Sequence, residues 1–383
     1  MENLRPFIVL KFLVVGLVLT SFLQEKPPLK YMQVATIKSS IAEEKSLVTT
    51  YKDTLTNDSI YLRVSKNDIP LYYYKKVIGE VCLDKECRLL DIIVYWNITG
   101  RYLGFELPKG EFLSKNDHEP FSESEYQRLH TLLADSSIPL DAVSFEKLVE
   151  QPKNEQGTVD AVSGATSKSV AEMVVKGAAY TTYTLWNIVN GPTMDFVSEL
   201  TEKQLTPALI DRILHSPDNN DKLWALDRID SATKLTPDLA RSLLEIIASD
   251  DFYLGYSAIH AIDSVHLNAT ELQAHLFSMY TNANHSIQKE LVKKLMQAPL
   301  LSSKVVVASV DLLNQLNGQQ LDDLLKLYVK HGINDLETCK AIARILENEN
   351  KYISKKASNF LINVQTDDEF IMERLNAYKK EKL

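Results

Sequence analysis

The chain has 383 residues, a length that accommodates two or three domains. Hydrophobic residues make up 45% and charged residues 24%, the balance of a globular protein over its bulk. A formal net charge of −9, with no basic stripe, argues against a nucleic-acid binder, and only 12 glycines fit a chain dominated by helices. Residues 1–28 read as a signal peptide or an N-terminal membrane anchor. Arg5 and Lys11 precede or punctuate an apolar stretch over 7–23, and Glu25-Lys26-Pro27-Pro28 follows it. The run from Phe12 to Leu19 has the length of a signal-peptide core, and the whole stretch is at the short limit for spanning a bilayer. Either reading makes the remainder extracytoplasmic, in a periplasm or at a cell surface.

Residues 29–60 read as a polar connector with helical character over 41–55. Strand patterns follow at 72–82, 87–96 and 102–107, rich in β-branched and aromatic residues. Cys82 and Cys87 flank the turn Leu83-Asp-Lys-Glu86 between the first two strands. Across a hairpin their Cα atoms can approach to disulfide distance, and an oxidising compartment favours the bridge. A structural disulfide, a redox-active dithiol and two free thiols are the readings open to this pair. Cys339 falls in a helical segment and reads as a buried small apolar residue. Tyr95, Trp96, Tyr102 and Phe105 fit a sheet core, although aromatic residues of this kind can also pack a planar ligand. His118, in the loop Asn116-Asp-His-Glu-Pro120, is either a proton-transfer group beside a cofactor or a loop histidine that bonds backbone. Ser122 is placed to cap a helix running to Leu133; a turn follows at 135–139, a helix at 143–150 and a polar loop at 151–157.

The most specific signal is Asp160-Ala-Val-Ser163-Gly164-Ala165-Thr166, followed by Ser167-Lys168-Ser169 and a helical run over 170–189. Gly164 and Ala165 let a bulky partner approach the backbone, and Thr166 presents a hydroxyl near a helix start, where unpaired N–H groups and the macrodipole favour an anion. Small residues in such a turn also make an ordinary helix cap. Lys168 and Lys176 either add positive charge there or sit on a solvated face. The seven residues resemble the covalent flavin-attachment motif, Asp-x-x-Ser/Thr-Gly-Ala-Thr, of the FMN-binding domain family, which includes flavin subunits of membrane electron-transport complexes. The resemblance implies that Thr166 carries FMN through a phosphoester, with Asp160, Ser163, Gly164, Ala165 and Ser167 shaping the site. It implies a Mg-dependent flavin transferase as partner, with FAD as donor and AMP released, because an unassisted threonine hydroxyl is a poor nucleophile. The cysteine-bearing hairpin, the stretch from Gly100 to Pro108 and the loop from Lys115 to Phe121 resemble one branch of that family. Many members carry a second threonine where this chain has Lys168.

Beyond residue 200 the pattern becomes almost wholly helical. Apolar spacing of i, i+3, i+4 marks helices at 207–216, 221–231, 237–249, 253–265, 269–282 and 286–297, and again at 302–316, 319–329, 336–346, 353–364 and 368–379. Alternate helices recur at 32 to 33 residues, which points to stacked helix pairs, loosely HEAT-like, with an irregular bundle as the competing architecture. Histidines 215, 260, 266, 275, 285 and 331 form no His-x-x-x-His pair, and no metal site is expected.

The expected fold is thus an α+β FMN-binding domain at 61–195 followed by an all-α solenoid of HEAT-like helix pairs at 200–383. The expected function is an extracytoplasmic flavoprotein that passes electrons between redox proteins at a membrane, with partner docking on the helical repeats. FMN would supply the chemistry, and no catalytic residue of the chain's own is assigned. No glycine fingerprint for a nicotinamide cofactor marks a reductase with its own substrate. The alternative is a helical-repeat scaffold or binding protein whose FMN-binding-like domain carries no flavin.

Overall fold

The computed structural model describes residues 28–38, 45–50, 59–81, 88–115, 118–144, 147–148 and 170–382, with the backbone alone at 45–50 and 381–382. Among the described residues, six strands form one antiparallel sheet: β1 (Lys30–Met32), β2 (Lys45–Thr50), β3 (Ser59–Val64), β4 (Pro70–Gly79), β5 (Leu90–Asn97) and β6 (Tyr102–Glu106). Their order is β1-β6-β5-β4-β3-β2, so β2 to β6 run as a meander and β1 closes the far edge against β6. Period-two burial explains the strands. Ile60, Leu62 and Val64 point to the core from β3, Tyr73 and Val77 from β4, and Ile92 and Val94 from β5. On the other face Tyr61 pairs with Tyr74 and Tyr74 with Tyr95 across the strands, with ring centroids 5.1 and 5.9 Å apart. Gly104 is required where it stands, because a side chain there would collide with the Tyr31 carbonyl of β1.

The sheet draws on residues that the sequence pattern assigns to a connector. The helical character expected over 41–55 is not found at 45–50, where β2 pairs with β3 from Lys45↔Val64 to Thr50↔Ser59. Leu47-Val-Thr-Thr50 is rich in β-branched residues, and an available ladder partner outweighs weak helical spacing. The helix expected at 143–150 shows no α-helical residue among those described, and only Lys147 takes a 3-10 conformation. Val143 and Lys147 instead donate to the carbonyls of Leu140 and Ser144, the i to i−3 pattern of tight turns.

Among the described residues, three α-helices complete this half: α1 (Glu123–Ala134), α2 (Ala179–Asn190) and α3 (Pro192–Glu202). Ser122 caps α1 as expected, with Glu125 closing a capping box. The sequence pattern gave no sign of α3, since Gly191-Pro192 reads as a break, yet Pro192 occupies the first turn, where its missing N–H costs nothing.

The helical half is two rows of stacked helices. One row holds α4 (Pro207–Leu214), α6 (Pro237–Ile247), α8 (Thr270–Ser278), α10 (Ser303–Leu312), α12 (Leu336–Arg344) and α14 (Glu369–Lys382). The other holds α5 (Asn219–Leu226), α7 (Phe252–Ala261), α9 (His285–Leu295), α11 (Gly318–His331) and α13 (Lys351–Val364). Within each row, successive members pack on one another. The second row starts at 219, 252, 285, 318 and 351, and the first row from α6 onward starts at 237, 270, 303, 336 and 369, so both advance by 33 residues. Asp218, Asp251, Asn284, Asn317 and Asn350 occupy the same capping position before each second-row helix, and each accepts a backbone N–H. The period is shorter than the roughly 40–47 residues of HEAT repeats, so the likeness is one of stacked pairs.

Hydrocarbon is continuous from the sheet into the solenoid. One core runs from Ile60, Ile92 and Phe105 through Leu129 and Leu185 to Ile213, Leu243 and Leu291. A second, around Leu321, Ile342 and Leu361, belongs to the last helices, and a smaller cluster around Phe277, Leu295 and Leu324 lies between.

Candidate functional site

Asp160, Ser163, Gly164, Ala165, Thr166 and Ser167 lie outside the described residues, as do Cys82 and Cys87 and the loop at 151–157. The site is therefore built from what flanks it. Immediately after the motif, Val170, Val174 and Val175 are buried and the backbone turns repeatedly, with Met173 N–H bonded to the Val170 carbonyl at 2.9 Å and Ala178 N–H to that of Val175 at 2.9 Å. Gly177 turns through a left-handed conformation, φ +74°. The helical run expected over 170–189 thus begins only at Ala179. Its first residue follows a cap without a hydroxyl. Thr182 serves instead, accepting from Val175 N–H at 3.1 Å and donating to the Ala178 carbonyl at 2.9 Å. Valines four and five residues after Val170 suit a helix, but here the left-handed glycine separates them from it.

This post-motif segment is pinned against α1. The Arg128 guanidinium donates to the Glu172 carbonyl. Between them lies a cleft of about 470 Å³, lined by Arg128, Leu132, Asp135, Ile138, Ala171 and Met173 among others. Asp135 is occupied at its rim: it accepts from Ser137 N–H at 2.9 Å and Ser137 Oγ at 2.6 Å, and these bonds hold its carboxyl below the usual range. Lys115, beside the loop segment that carries His118, lies against Gly177 and forms ion pairs with Glu119 at 3.3 Å and Glu125 at 3.0 Å. His118 sits in that loop, exposed, at φ +60°. The loop is therefore brought beside the post-motif segment.

The four sheet aromatics go to packing. Trp96 and Phe105 are fully buried, Trp96 Nε1 donates to the Val189 carbonyl at 2.9 Å, and Tyr102 hydroxyl pairs with His130 Nδ1 at 2.9 Å. Burial pushes the Tyr102 hydroxyl well up and His130 down, so this pair is neutral near pH 7. Tyr95 donates to Glu106 Oε2 at 3.0 Å. Among the solenoid histidines, His266 Nδ1 accepts from Asp263 N–H at 2.9 Å, so Nε2 carries the proton given to the Thr233 carbonyl at 2.9 Å. His331 reaches the Leu295 carbonyl at 3.0 Å and His215 that of Asp211 at 2.8 Å. Among the described residues, no three His, Cys, Asp or Glu side chains are arranged to hold a metal ion. Cys339 is buried, as expected, and burial pushes its thiol up.

One buried polar centre has no counterpart in the sequence reading. Asp221, in the first turn of α5, is fully buried. Its Oδ2 accepts from Thr36 Oγ1 at 2.8 Å, Ser216 Oγ at 2.7 Å and Arg101 Nη2 at 2.7 Å; its Oδ1 accepts from Thr99 Oγ1 at 2.6 Å and Arg101 Nε at 3.0 Å. Burial pushes its carboxyl up, but Arg101 and the Thr99 and Ser216 hydroxyls outweigh that and hold it below the usual carboxylate range. An acidic residue at a helix start is common, so nothing in the sequence singled it out. Its partners lock the sheet to the solenoid.

No protein-family model matches the chain, and no curated protein matches it. The resemblance to FMN-binding domains rests on the motif and the residues around it.

Proposed function

We propose that the protein is an extracytoplasmic flavoprotein that carries FMN on Thr166 and passes electrons between redox partners at a membrane. The observation that carries this reading is the run from Asp160 to Thr166. The α+β half and the cleft beside the post-motif segment support it. The cleft's volume of about 470 Å³ falls within the range of about 300–1,000 Å³ typical of small-molecule sites. Leu132, Ile138 and Met173 offer hydrocarbon to a ring system, and Arg128 offers a cation to a phosphate. These residues fit the group, and the part of the lining that follows the motif, Ala171 to Met173, begins five positions beyond Thr166. FMN, once attached, accepts one or two electrons. The chain's own part is to tether it, to hold the cleft wall through the Arg128–Glu172 bond, and to present the helical rows to a partner. Among the described residues no helix is long and apolar enough to cross a membrane, and residues 1–27 lie outside them.

The test is attachment itself. The chain is expressed in a host that exports it and supplies the flavin transferase, denatured, and examined by gel fluorescence and intact mass. The parent is expected to fluoresce and to carry one FMN unit, and Thr166→Val to lose both. Fluorescence retained in Thr166→Val would put the flavin elsewhere. A parent chain with no added mass would leave the second reading, a helical scaffold, which the regular repeat array favours.

A further inference from the structure

We propose that the notch between α10 and α12 docks a segment of a partner protein that presents apolar side chains flanked by lysine or arginine. The notch encloses about 490 Å³, and its hydrocarbon wall is Leu301, Val306, Val307, Val310 and Ile333. Val307 is 64% exposed and the neighbouring Leu336 46%, so bulky apolar surface stands open beside a concave wall. Contiguous uncovered hydrocarbon of this kind marks interaction sites, and a groove between helices suits an amphipathic helix.

The preceding joint shows why this one is open. Between α8 and α10, Gln273 donates to the carbonyls of Leu267 at 2.7 Å and Leu300 at 2.8 Å and accepts from Ser302 N–H at 2.8 Å. The Glu271–Lys304 ion pair closes the same joint from outside. One 33-residue period later, Val306 stands where Gln273 stood and has no amide to clasp the next loop. Lys304 is already held by Glu271, and the residue one period beyond Lys304 is Glu337. The joint thus loses both its polar clasp and its ion pair.

Charge selects the occupant. Asp311, Asp335 and Glu337 line the notch, and no lysine or arginine does. Asp335 already accepts Thr338 N–H at 3.0 Å, which orients its carboxylate at the rim. Three carboxylates around hydrocarbon favour a cationic amphipathic segment and repel an acidic one. A second copy of this chain is a poor occupant for the same reason, since its net charge is −9. The proposal is independent of the flavin reading.

The probe is a labelled, helix-forming Leu/Lys peptide, compared with a Leu/Glu peptide that keeps the same leucine positions. Binding to the full chain is followed by fluorescence anisotropy at physiological ionic strength. Saturable binding of the Leu/Lys peptide, weaker by about tenfold or more for the Leu/Glu peptide, is expected. Val307→Gln combined with Leu336→Gln should weaken the Leu/Lys peptide by about tenfold, while Val265→Gln, at an exposed position outside the notch, changes nothing. Asp311→Lys with Glu337→Lys should invert the preference between the peptides, a gain that a misfolded variant cannot give. Equal binding of both peptides, no binding, or an equal loss in Val265→Gln overturns the proposal. So does self-association by sedimentation that disappears in Val307→Gln with Leu336→Gln, which would make a second copy the occupant.

Discussion

At Asp221 a single carboxylate accepts five hydrogen bonds from residues as far apart as Thr36, Thr99, Arg101 and Ser216. Removing one partner of a buried, bonded ion pair leaves the other uncompensated. Asp221→Asn is therefore expected to lower unfolding stability at neutral pH by about 3–5 kcal/mol, read by chemical denaturation. The sign of the pH effect follows from the lowered pKa. An aspartate held below its unfolded value of about 3.9 contributes stability that is present above that value and lost as pH falls through the folded one. The native chain should weaken more steeply than Asp221→Asn as pH falls below about 4; parallel slopes would remove Asp221 from the acid response. Residue-scale reading of the sequence succeeded where the local pattern carries the reason, as at Ser122 and Cys339. It failed at Asp221, because the reason is an arginine 120 positions away.

Elements were legible in proportion to how much of their stability is local. All eleven helices of the solenoid show the apolar spacing that their burial requires, and each was expected within a few residues of its observed span. β2 and the turns after Val170 were not legible, because pairing with β3 decides the first and the left-handed Gly177 helps decide the second. The repeated Asp or Asn before each second-row helix gives a direct check. Asn284 accepts Ile287 N–H at 3.0 Å, and Asn284→Ala is expected to cost about 1 kcal/mol, whereas Asn284→Asp should be nearly neutral. An alanine variant as stable as the parent would mean that water replaces the cap.

At the scale of the whole molecule, the main core couples the sheet to the solenoid as far as α9, and the last helices have a core of their own. Native-state hydrogen exchange should then show α11 to α14 opening while the strands stay protected. Leu361→Ala, at a site 1% exposed, should cost about 2–5 kcal/mol and strip protection from the C-terminal helices alone. Equal loss in β4 and β5 would mean one cooperative unit. The division into a strand-rich first half and a helical second half was readable from pattern. The continuity of the core was not, since no local period reports which apolar faces meet. The run from Asp160 to Thr166, on which the flavin proposal rests, stands out in the sequence as seven residues, and the described flank adds a cleft beside residues 171–173.

Because equivalent backbone points recur at a constant interval in both rows, cutting out one interval would leave ends that rejoin in the orientation they had before. The array is graduated in steps of one helix pair. The valine-walled notch belongs to a single graduation, so adding or removing a step upstream would carry it nearer to or farther from the sheet without reshaping either.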